Sequence, residues 1–106
     1  MSLKAAFKFV INLQGHEVRL QRTKDGLDVT IKMAPSNYFR FTETVEELNV
    51  KGNEYVISKD DLDTLSFPKP RRGDTIIDND SGVLTIKRVV EMRSLGELLG
   101  YRVRTG

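Results

Sequence analysis

An all-β fold with a minor helical part, a small barrel of about six or seven short strands, is the architecture this sequence predicts. Three observations predict it. Val18 and Leu20 alternate with Glu17, Arg19 and Gln21, and Leu27, Val29, Ile31 and Met33 alternate with Asp28, Thr30 and Lys32, so two successive strands each bury one face. Turn formers separate such runs at short intervals, at Asp25-Gly26, Gly52-Asn53 and Asn79-Asp80-Ser81-Gly82. The 106 residues contain no cysteine, so the core must come from packing and not from a disulfide framework.

Residues 3–14 satisfy two periods at once. Leu3, Ala6, Phe7 and Val10, with Leu13 or Gln14, follow helical spacing, Ser2 stands as an N-cap and Gly15 as a left-handed stop. Ala5, Phe7, Phe9, Ile11 and Leu13 alternate equally well as a strand. The next two runs form a hairpin, because Asp25-Gly26 accepts positive φ at a tight turn.

A long loop is expected over about 33–53, since residues 34–53 carry Pro35 and Asn37 and show no clean period. At most one helical turn fits there, near residues 44–48, where Thr44 and Glu47 match a capping box. Tyr38, Phe39 and Phe41 give this loop an aromatic cluster, and rings exposed on a monomer need a partner. The competing reading is a further strand with two of the rings in the core.

Residues 55–57 read as a strand. Ser58 is placed to cap a short helix near 58–65, with Asp60 and Asp61 favourable in its first turn. Leu62 and Leu65 are expected to fix that helix to the core, and Pro68 and Pro70 to end it. Thr75–Asp78 and residues 83–92 make a second hairpin, and residues 101–104 a last strand after a loop holding Gly96 and Gly100. One domain over residues 1–106 accounts for all of this.

The formal net charge of +2 is too small to argue for nucleic-acid binding. Its distribution is more informative. Seven acidic residues face two lysines between positions 43 and 63, and five basic residues face two acidic ones between 83 and 106. Such polarity suits head-to-tail contacts between identical subunits, or simply two solvated faces. No segment approaches the ~20 apolar residues of a membrane span, and no signal peptide is read at the N-terminus, so a soluble protein without a membrane partner is expected.

No residue is assigned a catalytic, cofactor-binding or metal-binding role. His16 beside Gly15 reads as a surface turn residue, with no nucleophile motif near it. Asp60, Asp61 and Asp63 lack the spacing of a calcium loop, and Asp78, Asn79, Asp80 and Gly82 lack its downstream glutamate. Arg72-Gly73-Asp74 matches an integrin-binding tripeptide, but it reads as backbone freedom at Gly73 with Asp74 holding nearby amides. Lys69, Arg71 and Arg72 form the densest basic patch, in a proline-braced loop able to touch DNA phosphates without reading sequence.

The order of strand, Ser-capped helix, proline loop, Gly-Asp and strand over residues 55–78 (YVISKDDLDTLSFPKPRRGDTIID) resembles the middle of the head–tail joining proteins of long-tailed bacteriophages and prophages. These are also called stoppers or head-completion proteins. Residues 15–22, 85–90 and 101–104 extend the likeness to about two-thirds of the chain. Members begin with a short helix, which favours the helical reading of residues 3–14. The resemblance implies a small β-barrel that forms a ring, typically sixfold, below the portal and adaptor proteins. Such a ring retains packaged DNA and docks the tail terminator, and its subunits are often monomeric when isolated. It further implies a non-enzymatic structural role, in the host cytoplasm during assembly and then in the virion. Ring or partner contacts are expected at Tyr38, Phe39, Phe41, Arg102 and Arg104, and a DNA-proximal loop at Lys69, Arg71 and Arg72. Another minor tail or tail-completion protein, or a small nucleic-acid-binding barrel, is the alternative.

Overall fold

In the computed structural model, which describes residues 3–35 and 54–106, the alternating runs close into an antiparallel barrel of six strands. The elements are α1 (Leu3–Gln14), β1 (His16–Arg22), a 3-10 turn (Thr23–Asp25), β2 (Leu27–Pro35), β3 (Glu54–Ser58), α2 (Lys59–Thr64), β4 (Thr75–Asp78), β5 (Gly82–Ser94) and β6 (Glu97–Thr105). Around the barrel the order is β1-β2-β3-β6-β5-β4. Tyr38, Phe39, Phe41, the turn expected at residues 44–48 and the Ser2 cap lie outside the described residues.

Two walls make the barrel, and two strands run through both. β1, β2, β4 and residues 82–85 of β5 form the first wall. The end of β2 pairs with β3, β3 with β6, and residues 86–94 of β5 with β6, forming the second. The register shift between Ile86 and Arg88 falls where β5 passes from one wall to the other, a bend that an extra residue in one strand supplies. Val18, Leu20, Ile31, Ile57, Ile76 and Val103 fill the interior, each no more than 3 % exposed. Burial of side chains of this size contributes about 1.5–3 kcal/mol apiece.

The N-terminal segment is a helix because a wall of the barrel offers it a seat. Phe7 and Ile11, one helical turn apart, pack with Ala34 and Val56 on the outer face of the second wall. Two glycines set how close it comes. A Cβ on Gly100 would lie 2.1 Å from the Ile57 carbonyl oxygen and 2.8 Å from the Phe7 ring. A Cβ on Gly15 would lie 2.5 Å from the Ile11 carbonyl oxygen. Gly15 therefore stops the helix by close approach and not by the left-handed conformation expected of it, since its φ is not positive. The hairpin turn does use that conformation, with Gly26 at φ 70°.

Several boundaries differ from the expectation. β2 continues through Pro35, with Ala34 paired to Val56 and Pro35 to Tyr55, so the segment expected to loop from about residue 33 begins as a strand. β6 starts at Glu97 and runs through Gly100, and the turn preceding it is the two-residue Leu95-Gly96, at φ 52° and 79°. Positive φ at both central residues is the tight hairpin geometry whose twist matches the strands. A leucine at the first of these positions hides the turn from a sequence reading.

Ser58 occupies the N-cap of α2 in backbone terms but makes no side-chain cap bond. Leu65 is 38 % exposed, and Phe67 takes its expected place in the core beside Leu62. The helix ends before either proline acts. The Phe67 amide donates to the Leu62 carbonyl and the Ser66 amide to the Asp63 carbonyl, at 2.9 and 3.1 Å, with Ser66 at φ 57°. This is the paired-bond helix stop that normally places glycine in the left-handed position, with its usual apolar contact between the flanking residues. Serine there bears a Cβ penalty of about 1–2 kcal/mol, partly offset by its stiffer unfolded chain. Ser66→Gly is expected to stabilise the fold by about 0.5–1 kcal/mol, read as a rise of a few degrees in Tm.

Candidate functional site

Beneath the basic loop lies a buried polar cluster. The inward alternation Val18, Leu20 along β1 ends on Arg22, which is 7 % exposed. Its guanidinium donates from Nε to Asp74 Oδ1 and from Nη2 to Asp74 Oδ2, both at 2.9 Å, and from Nη2 to the Lys69 carbonyl at 2.8 Å. The Phe67 ring covers it at 5.3 Å. Asp74 also accepts the Arg71 amide at 2.9 Å, as expected of an aspartate that holds nearby amides. Hydrogen bonding to Asp74, opposed by burial, raises the Arg22 pKa above its usual value. The Arg72-Gly73-Asp74 tripeptide is thereby committed to the fold, its carboxylate being 3 % exposed.

The three cations of the loop are not equivalent. Lys69 reaches over to Glu91 of β5 at 3.4 Å and lies 6.0 Å from the Tyr101 ring. Arg71 and Arg72 are exposed, and their side chains meet no carboxylate within ion-pair distance among the described residues.

At the opposite end of the barrel His16, Tyr55 and Asp78 converge. Asp78, 2 % exposed, continues the inward parity of Ile76. It accepts the Tyr55 hydroxyl at 2.7 Å, the His16 Nε2 at 3.1 Å and the Asp80 amide at 3.0 Å. Burial pushes the Asp78 carboxyl up, but these three bonds outweigh it and hold the pKa below the ordinary value. His16 is thus the first residue of β1, at the strand start its place beside Gly15 suggested, and its half-exposed ring is fastened to a buried acid where only a turn residue was expected. Donor atoms of His16, Asp78 and Asp80 lie within 4.8 Å of one another. One imidazole and two carboxylates are a set that divalent ions accept, yet Asp78 is already engaged, tying β1 and β3 to β4 through His16 and Tyr55 and closing its own turn through the Asp80 amide.

The outer face of the second wall carries the expected contact residues Arg102 and Arg104. Arg104 donates from Nε and Nη2 to Glu54 Oε1 at 3.1 and 2.8 Å, and Arg102 lies 3.8 Å from the same carboxylate. With Arg88 and Val90 of β5 they line a shallow concavity. The acidic stretch and the basic C-terminal third therefore meet within one chain. Asp60, Asp61 and Asp63 are likewise engaged, by Lys4 at 3.5 Å, Lys8 at 3.3 Å and Lys59 at 2.6 Å.

Of the two buried carboxylate clusters, the sequence showed only that Asp74 holds nearby amides, not its pair with Arg22 or the meeting of His16, Tyr55 and Asp78. Each had a signal: a charged residue, Arg22 or Asp78, at the parity reserved for the core. Tyr38, Phe39 and Phe41 are not placed by the described residues.

Asp74→Ala leaves Arg22 buried with only the exposed Asp25 carboxylate, 3.8 Å from Nη1, as counter-charge and is expected to cost about 3 kcal/mol in urea unfolding. Pairing Asp74→Leu with Arg22→Met should recover most of that loss. Because the Asp78 pKa is depressed on folding, its stabilising contribution is present above the ordinary carboxylate range and is lost as pH falls through the folded-state value. Tyr55→Phe should remove about 1–2 kcal/mol at neutral pH and shrink the difference from wild type in acid, measured as Tm against pH.

No known protein family matches this chain, and no curated protein matches it.

Proposed function

We propose that this chain is a non-catalytic ring subunit in the neck of a tailed-phage or prophage virion, joining head to tail and helping to retain packaged DNA. The observation that carries the reading is the segment 55–78. Its succession of strand, short helix, proline loop and Gly-Asp carries the resemblance, and its proline loop is tied to β1 by the Arg22–Asp74 pair. Apolar side chains exposed at separate places support an assembled state. Phe9 and Leu13 on α1 are 58 % and 65 % exposed, Val83 after the β4–β5 turn 72 %, and Leu95 at the β5–β6 tip 93 %. A subunit held between neighbours needs several contact patches, and scattered ones suit contacts that form together.

On this reading the portal and adaptor proteins lie on one side of the ring and the tail terminator on the other. The ring assembles in the host cytoplasm and ends in the virion, and Arg71 and Arg72 lie near DNA without reading its sequence. A nucleic-acid-binding barrel is the second reading, favoured by those two uncompensated arginines. Electron microscopy of the purified chain, alone and with the portal complex of the same genome, tests the proposal. Rings, typically sixfold, on the portal are expected. A chain that neither forms rings nor co-sediments with that complex, and that binds duplex DNA with a steep salt dependence, overturns it.

A further inference from the structure

We propose that His16, Asp78 and Asp80 form a binding site for one divalent transition-metal ion, with Zn²⁺ as the occupant that fits best. The inference concerns a single chain and stands or falls independently of the ring reading.

The charge of Asp78 carries the argument. Among the described residues two carboxylates are buried, and the fold answers them differently. Asp74 meets a guanidinium, that of Arg22, at 2.9 Å. Asp78 is bonded to the Tyr55 hydroxyl, the Asp80 amide and the His16 imidazole, none of which is a permanent cation. Those bonds hold its pKa below the ordinary value, so the group is ionised at neutral pH. A buried carboxylate is normally paired with a cation or bound to a metal. Beside it, the exposed carboxylate of Asp80 meets no lysine or arginine within ion-pair distance among the described residues. Two anionic groups therefore converge with one imidazole, and no lysine or arginine among the described residues offsets them.

The spacing suits an ion. His16 Nε2 lies 3.1 Å from Asp78 Oδ2, and one ligand atom from each of the three residues falls within 4.8 Å of the others. Two ligands bound about 2.0–2.2 Å from a tetrahedral zinc ion stand about 3.4 Å apart. The His16–Asp78 contact thus opens by only about 0.3 Å to admit the ion, and the exposed Asp80 side chain turns in to complete the set. His16 binds through an unprotonated Nε2, with its ring proton on Nδ1. Its half-exposed ring leaves the fourth position to water. An imidazole among carboxylates selects zinc and its neighbours over Ca²⁺ and Mg²⁺, which take all-oxygen shells.

The backbone holds these ligands in place. His16 follows Gly15, where a Cβ would lie 2.8 Å from the Met33 carbonyl oxygen, so the chain enters β1 in close contact with β2. Asp78 ends β4 opposite Gly82, and its Oδ1 fixes the Asp80 amide at 3.0 Å. The ladder between β1 and β4 covers only residues 19–21 and 75–77. An ion joining His16 to Asp78 fastens the two strands beyond the end of that ladder, a cross-link in a chain without cysteine.

Calorimetric titration and thermal unfolding of the tag-free full chain, stripped with a chelator and titrated with Zn²⁺, test the site. One ion per chain with a micromolar or tighter Kd is expected. Tm should rise by roughly 10 °C when free Zn²⁺ is about a hundredfold above Kd. Asp80→Asn alters an exposed side chain that forms no bond in the fold, so the metal-free Tm should not move while Zn²⁺ binding weakens by about tenfold or more. His16→Ala should weaken it at least as much, and Asp80→Asn keeps the test decisive where His16→Ala fails to fold. Glu17→Gln, an exposed carboxylate on the opposite face of β1, should bind as the wild type does. Binding weaker than about 100 μM overturns the site, as does binding of undiminished strength in both Asp80→Asn and His16→Ala. An equal loss in Glu17→Gln also overturns it, since the ion would then be condensing loosely on surface charge. So does displacement of Zn²⁺ by Ca²⁺ or Mg²⁺ at equal concentration, which would mark carboxylate binding without the imidazole.

Discussion

The buried Arg22–Asp74 pair is the constraint on which the lower half of the molecule depends. A six-stranded barrel this small has room inside only for side chains, and at the end where β1 stops, the position that parity assigns to the core is taken by a guanidinium. Removing such a group from water costs several kcal/mol unless its donors are matched. Here they are matched from the proline loop, a segment that has no ladder of its own. Asp74 takes Nε and Nη2, and the Lys69 carbonyl shares Nη2. The same segment is fixed to the barrel from its other side, the Gly73 amide donating to the Ile86 carbonyl and the Ile86 amide to the Asp74 carbonyl, both at 2.8 Å. One ion pair thus sets where the proline loop lies and where β4 begins, and β4 in turn pairs β1 to β5. The pair specifies position more than it adds stability, which is the ordinary balance for buried charges of opposite sign.

The helices show a different division of labour. The salt bridges from Lys4 to Asp60 and from Lys8 to Asp61 join α1 to the first turn of α2. Pairs this accessible contribute at most about 1 kcal/mol each. Burial of Phe7 and Ile11 supplies more, and it is available only because glycine at position 100 lets the Phe7 ring rest on β6. The lysines orient a helix that its apolar face holds. With the polar arc of α1 turned to α2, the side away from the barrel is left to Phe9 and Leu13, the inverse of the usual arrangement for a surface helix.

What could be read from the sequence follows from the range of the interactions involved. The hairpin of β1 and β2 was legible because alternation and an Asp-Gly turn are local and agree. The α2 segment was legible as an element and at its start, where Ser58 is the N-cap, but not in the cause of its stop, which depends on Ser66 adopting a conformation that serine seldom takes. Residues 3–14 were ambiguous because both faces of that helix are apolar, so neither period wins until a wall is present to seat one of them. The β5–β6 hairpin was read short because Leu95 occupies a turn position where asparagine or glycine is the usual sign. Of the candidate site, the basic residues were visible as charge, but their partners were not. Lys69 and Glu91 are 22 residues apart, Arg104 and Glu54 50, and Arg22 and Asp74 52, and no local pattern encodes such meetings.

This long-range pairing changes how the charge asymmetry of the chain must be understood. Read along the sequence, an acidic middle and a basic C-terminal third invite an encounter between two molecules. Folded, Glu54 belongs to Arg104 and Arg102, and Asp60, Asp61 and Asp63 belong to lysines of the helices. The described acidic residues of that stretch are thus already engaged within the chain. β-pairing also sets Arg88 of β5 opposite Arg104 of β6, an encounter that neither strand's own neighbours along the chain announce. Among the described residues, the charge blocks of the sequence therefore report first on how the fold pairs its own segments.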